Sequence, residues 1–172
     1  MKNKSSWQVE MARSAIEAYI KENRTIDIPK DLPPEMKDKA GVFVSLHKKG
    51  QLRGCIGTFL PTTGSVAEEI IANAIASSTK DPRFPPVTKE EVPELEISVD
   101  VLTKPVPVKD ITELNAKKYG IIVSSGGRRG LLLPDLEGVD TPQQQIAICR
   151  QKAWIEDDVP VAIEKFEVRR FH

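Results

Sequence analysis

The 172-residue chain has few of the residue types from which recognisable active sites are usually assembled. It holds only two cysteines, Cys55 and Cys149, and only two histidines, His47 and His172. Two distant cysteines make no disulfide framework. No close cysteine pair and no His/Asp/Glu cluster has metal-binding spacing, so neither a metal nor a cofactor is expected. Charge of one sign is also missing. Lys+Arg and Asp+Glu each number 25, for a formal net charge of zero. That argues against a nucleic-acid binder held by bulk electrostatics, although a local basic patch stays open. Long apolar runs are absent: Leu131, Leu132 and Leu133 fall far short of the ~20 residues needed to cross a bilayer. The start, MKNKSSWQVEMARS, has lysines but no apolar stretch behind them, so it is not a signal peptide and a cytoplasmic protein without membrane contact is expected. There is no internal repeat and no low-complexity tract.

Hydrophobic content of 40% and charged content of 29% are those of an ordinary globular protein, long enough for one well-buried core or one domain with a small subdomain. Ser5 with Gln8 predicts a capped first helix, its apolar face formed by Met11, Ala12, Ala15, Ile16, Tyr19 and Ile20. Residues 25–39 are proline-rich and charged and read as a loop. Ser65 with Glu68 opens a second helix through Val66, Ile70, Ile71, Ala74 and Ile75, and residues 88–92 read as one short helical turn. Leu95, Ile97, Val99 and Val101 alternate with polar residues, as in a half-buried strand. A hairpin is predicted from 120–123 and 130–133, joined by SSGGRR. Thr141, Pro142 and Gln144 then start a helix whose buried side takes Ile146, Cys149, Ala153 and Trp154. One final alternating strand carries Val161, Ile163, Phe166, Val168 and Phe171. Hairpins with helices inserted between them predict an α+β fold on a mostly antiparallel sheet.

The most informative stretch is LRGCIG, Leu52 to Gly57. It puts a thiol beside an arginine between two glycines inside a strand. Strand glycines mark bulges or places where another backbone or a ligand comes close. With GVFVSLH before it and a three-residue Lys48-Lys49-Gly50 loop, the hairpin pairs Leu46 with Leu52, Val44 with Gly54 and Val42 with Ile56. Phe43, Ser45, His47, Arg53 and Cys55 then share the opposite face. In that register His47 lies about 13 Å from Cys55, too far for a Cys–His dyad. Arg53 has two readings: a partner for a carboxylate, with Asp81 and Asp100 as candidates, or a binder of an anionic ligand. As a nearby cation it would lower the thiol's pKa. Cys55 itself is either a nucleophile or a small buried apolar residue.

Three further features have both a structural and a functional reading. Asp81-Pro82-Arg83-Phe84 either ends a helix and buries Phe84, or forms one wall of a cleft. Ser124 to Gly130 is either a hairpin turn or a phosphate cradle, without the lysine or following helix of a P-loop. Cys149 and Lys152 are neighbours on one helix surface; a redox couple between Cys149 and Cys55 is conceivable.

GVFVSL, LRGCIG, DPRFPPV, EISVDVL, GIIV, RGLLLP and CRQKAW together resemble the AMMECR-type domain family, named for the Alport syndrome, midface hypoplasia and elliptocytosis chromosomal region protein. The resemblance runs from about Ala15 to Phe171. It implies a single domain over residues 1–172, with a smaller subdomain on a larger one, and an association with Memo-like and radical SAM proteins in a modification pathway. Its signature falls on Arg53, Gly54, Cys55 and Gly57, on Asp81, Arg83 and Phe84, and on Gly130, Pro134, Cys149 and Lys152. Asp135 stands where the family commonly has glutamine. Three functional expectations follow. The first is an enzyme or enzyme component, with Cys55 as nucleophile or redox thiol and Arg53 holding an anionic group. The second is a module that binds a protein or peptide through Arg53, Gly54, Gly57, Ser45, Asp81, Arg83, Phe84, Cys149 and Lys152 without catalysis. The third is nucleotide or RNA binding through Arg53, Arg83, Arg128 and Arg129.

Overall fold

A computed structural model describes residues 5–172; the first part of the lysine-bearing N-terminal stretch lies outside them. The apolar repeat at helical spacing forms α1 (Trp7–Glu22), with Met11, Ala12, Ala15 and Ile16 buried. Its cap is Ser6, not Ser5: the Ser6 hydroxyl accepts from the Val9 amide. Gln8 is buried rather than turned back to the cap. The 25–39 connection contains one helical turn, α2 (Pro34–Lys37). The hairpin of β1 (Val42–Lys48) and β2 (Gln51–Thr58) follows. Next comes α3 (Val66–Thr79), capped by the Ser65 hydroxyl; the Glu68 carboxylate takes the Gly64 amide instead of the cap's own. A short 3-10 turn at Val92–Glu94 leads into β3 (Leu95–Leu102).

After β4 (Val106–Pro107), the second hairpin forms from β5 (Gly120–Ser125) and β6 (Arg128–Leu132) around a Gly126-Gly127 turn. Helix α4 (Pro142–Ala153) has the expected Thr141/Gln144 capping box. Trp154 does not join its buried side. The helix ends one residue earlier, Trp154 takes a left-handed φ of 57°, and its side chain is 82% exposed, while Ile155 occupies the buried place. The last alternating segment makes two strands, not one: β7 (Ala162–Phe166) and β8 (Val168–Phe171), which enter different sheets. The break is written in the pattern, because Ile163 and Phe166 are three residues apart and a strand's faces repeat every two.

The strand orders are β2-β1-β3-β8 and β4-β7-β5-β6, and each pairing whose register is defined is antiparallel. The fold is α+β. One unit comprises the chain up to Leu102 together with Arg169–His172; the other is Thr103–Val168. In the first, Val42, Val44, Leu46, Ile97 and Val99 pack against Ile16, Ile70 and Ala74 of the helices. In the second, Ile121, Val123 and Leu132 pack with Cys149 and Ala153 of α4. The ends of the second unit meet: the Thr103 amide donates to the Glu167 carbonyl, 2.9 Å, and the Glu167 amide donates to the Thr103 hydroxyl, 2.8 Å. Among the described residues no helix is long and apolar enough to cross a membrane.

Candidate functional site

The β1–β2 turn sets the geometry around the thiol. Lys49 and Gly50 both have positive φ, 52° and 76°, and Lys48 pairs with Gln51. This is a two-residue turn with both central residues left-handed, which suits the strand twist better than the expected three-residue loop. Shortening the loop by one residue would flip every following side chain to the wrong face. A bulge between Leu46 and His47, where Arg53 is the extra residue, restores the phase. The register is therefore Leu46↔Gly54, Val44↔Ile56 and Val42↔Thr58, not the expected one, and Leu52 lies opposite His47, exposed.

Phe43, Ser45 and Cys55 do share the outer face, and Ser45 sits directly opposite Cys55 with Oγ 3.3 Å from Sγ. The Cys55 amide donates to Asp81 Oδ2, 3.0 Å, and its carbonyl accepts from Arg83 Nη2, 3.4 Å. Strand β2 is at a sheet edge, and both backbone groups of one residue in an antiparallel strand point to the same side. Their capture by Asp81 and Arg83 makes Ser45↔Cys55 a non-hydrogen-bonded pair, the kind that brings side chains closest. The DPRF loop is thus a clamp on the backbone of the thiol residue.

Asp81 is nearly fully buried and accepts from Arg83 Nε and Nη2, at 3.0 and 2.8 Å, and from the Arg83 amide. The Arg83 guanidinium holds its carboxyl well below the usual range, against the opposing effect of burial. Arg83 remains half exposed, with its guanidinium 5.4 Å from the half-buried Phe84 ring. Arg53 pairs with a carboxylate, but neither expected partner. Its Nε and Nη2 donate to the two oxygens of Glu91 at 3.0 Å each, and Nη1 donates to the Pro85 carbonyl. Lys48 and the Thr88 amide complete the Glu91 shell, and the Arg53 hydrogen bonds lead in pushing its pKa down to about 2. Asp100 is taken by Arg170.

The two glycines beside the thiol make room for the protein itself. A Cβ on Gly54 would lie 2.1 Å from the Ser77 carbonyl oxygen of α3, and one on Gly57 would lie 2.2 Å from the Phe43 ring. The close approach predicted from the strand glycines is real, and its occupants are a helix backbone and an aromatic ring.

Two rows of side chains cross the outer face. Cys55, Ser45 and Ser98 form one, and Leu52, His47 and Glu96 the next. A cavity of about 330 Å³ opens there, lined by Ser45, His47, Glu96, Ser98, Arg170 and His172. The register change alters the standing of His47. It faces Leu52 rather than Gln51, in the row next to the Ser45–Cys55 pair and about 7 Å along β1 from Ser45, so the expected Cys55–His47 separation of about 13 Å is too long. Both histidines of the chain line this cavity, as does Ser45, which reaches the thiol from its edge.

Cys149 and Lys152 belong to the second unit. Cys149 is fully buried, and burial pushes its thiol up to about 11. Its carbonyl oxygen lies 2.1 Å from where a Gly130 Cβ would be, and Lys152 donates to the Leu131 carbonyl. Both residues shape the crossing of α4 over β6. The Ser124 to Gly130 stretch is a hairpin, Ser124↔Arg129 and Ser125↔Arg128. Asp135 adopts a left-handed φ of 56° and pairs with Lys117.

Sequence reasoning passed over Glu69 and Asn73. Glu69 is fully buried, yet hydrogen bonds from Thr58, Thr62 and Thr63 outweigh burial and hold its carboxyl below the ordinary range. Asn73 donates to the Val42 carbonyl and to the Thr58 hydroxyl. The available signal was the hydroxyl-rich loop just before α3. Among the described residues no group of three or more His, Cys, Asp or Glu side chains is placed to hold a metal.

A Thermotoga maritima protein is 51% identical over 166 residues, 95% of each chain. A Clostridium acetobutylicum protein is 48% identical over 94% of this chain, which spans 35% of that longer protein. The crystal structure of an uncharacterized protein from Pyrococcus horikoshii superposes with a TM-score of 0.83 at 36% identity, covering 99% of this chain and 93% of that one. The AMMECR1 family model matches residues 9–172. With the motifs clamped together at Cys55 and the match running almost end to end, the chain belongs to the AMMECR1 family.

Proposed function

We propose that the domain is a thiol-dependent enzyme or enzyme component whose reacting group is Cys55, with its substrate held over the outer face of the first sheet. The observation that carries this reading is the 3.3 Å Cys55–Ser45 contact beside a cavity that both histidines line. A cysteine nucleophile needs a proton acceptor within hydrogen-bond reach or through one intermediary. Ser45 is the thiol's hydrogen-bond partner, and His47, about 7 Å farther along β1, would accept the proton from it through a bridging water, with Glu96 opposite His47 across the strands. Arg53 does not serve as anion holder, because Glu91 and Pro85 occupy its donors. It secures the loop that clamps Cys55. By the family resemblance, the pathway would be a modification shared with Memo-like and radical SAM proteins, in the cytoplasm.

The test is alkylation with iodoacetamide from about pH 6 to pH 9, following each cysteine by peptide mass. Cys55 is expected to label in the folded protein and Cys149 only on unfolding. Ser45→Ala and His47→Gln should each slow the labelling of Cys55 across that range. A Cys55 that labels only on unfolding, or whose labelling neither substitution slows, would sink the proposal.

The second reading is a binding module using the same face, and one observation favours it: no histidine hydrogen-bonds the thiol directly. It predicts that Cys55→Ser retains full binding to a Memo-like or radical SAM partner in a pull-down while His47→Gln and Ser45→Ala weaken it. The nucleic-acid reading loses two of its four arginines, since Arg53 and Arg83 are neutralised by Glu91 and Asp81.

A further inference from the structure

The second unit displays a tryptophan where the fold has no use for one. Trp154 follows the last residue of α4 in a left-handed conformation, φ 57° and ψ 42°, a position that glycine or asparagine fills most cheaply. Its side chain is 82% exposed, the most exposed of the large apolar residues described. The site is held firmly. Arg128, from the start of β6, donates to the Trp154 carbonyl, and Arg150 bridges the carbonyls of Glu156 and Val159 at 2.6 and 2.9 Å. The segment carrying the ring is thereby ordered before anything docks on it, which lowers the entropy cost of association. A large, rigid, exposed aromatic is the residue type that most often dominates a protein interface.

The surrounding charges indicate what docks. Arg128, Arg150 and Lys152 donate to main-chain carbonyls, so their positive charge is not cancelled by the groups they bond. Within four residues after Trp154 come Glu156, Asp157 and Asp158, all exposed. The surface around the ring therefore carries both signs side by side. A purely acidic or purely basic partner would meet repulsion from half of it. A second copy, related by a two-fold axis, would lay its acidic segment on the basic one and bring the two rings to the centre, as an isologous interface requires. We infer that this face of the second unit, centred on Trp154, is a self-complementary surface that pairs two copies of the chain. Pairing through the edge of β6 is a different matter, since Lys152 already occupies the Leu131 carbonyl on that strand.

The experiment is sedimentation velocity on the full chain over about 1–200 μM, a range that covers weak to moderate homodimers. The wild type should double its mass with concentration, and more readily at low salt than at high salt. Trp154→Ser should weaken association at least about 30-fold; circular dichroism checks that the fold is kept, as expected for an exposed position. Arg128→Glu with Lys152→Glu, and separately Asp157→Lys with Asp158→Lys, should each abolish self-association, and an equimolar mixture of the two variants should restore it. A wild type that stays monomeric throughout overturns the inference. So does a dimer indifferent to Trp154→Ser, or a mixture of charge-swapped variants that fails to associate. None of these readouts depends on the thiol, so the reading of Cys55 stands or falls separately.

Discussion

Glu91 carries more of the site than its place in a surface loop suggests, because it holds Arg53 and Lys48 together with the Thr88 amide. Its folded-state value of about 2 lies below the ordinary 4.5. A depressed carboxyl stabilises the fold above the unfolded value, and that contribution fades as pH falls toward the folded one. Glu91→Gln is therefore expected to cost about 2 kcal/mol near neutrality, measured by urea unfolding. The gap from wild type should close between about pH 5 and about pH 2; a gap that stays constant would contradict the pairing. That Arg53 needs an anionic partner, a carboxylate of the chain or a ligand, was legible from its place in an apolar strand. That the partner is Glu91 was not, since 38 residues separate the two and no local pattern links them. Glu69 was hidden for a different reason. An acid in the first turn of a helix is what the helix dipole favours on any exposed surface, so nothing local marks it as buried.

Elements built on one period were legible, and elements that change phase were not. β1, β3 and the buried stripes of α1 and α3 follow directly from spacings of two and of three to four. The bulge at Arg53 and the division of the last segment into β7 and β8 both break phase, and a single period cannot report its own interruption. The same helix-on-strand device appears in each unit: Gly54 beneath the Ser77 carbonyl of α3, and Gly130 beneath the Cys149 carbonyl of α4. In both cases the obstructing atom is backbone and cannot rotate away. Gly54→Ala and Gly130→Ala should each destabilise the protein by about 2–3 kcal/mol through overpacking. Gly127→Ala, with nothing within 4 Å of the added carbon, should fall within about 0.5 kcal/mol of wild type. Chemical denaturation midpoints compare all three. Equal effects at Gly54 and Gly127 would mean that the helix is not seated as described.

At the scale of the molecule, the order of hairpins and helices predicted an α+β fold on mostly antiparallel sheet, and that is seen. The allocation of strands to two sheets could not be read, because it depends on where β8 goes after Glu167, and four residues carry too little pattern to say. β8 returns to the first sheet beside β3, and residues 103–168 form the excursion between them. Replacing that excursion with a turn of about four residues should leave a folded first unit, with α1, α3 and the Cys55–Ser45 pair intact. Amide NMR spectra of the shortened and full chains would check this, and loss of dispersion in the shortened chain would refute it. The two hydrogen bonds between Thr103 and Glu167 have a consequence for descent as well as for folding. An excursion whose ends are tied at one point can be lengthened, exchanged or lost without re-registering the strands that carry the thiol. The two units can thus change independently, the first constrained by the strand register around Cys55 and the second by the seating of α4 on β6.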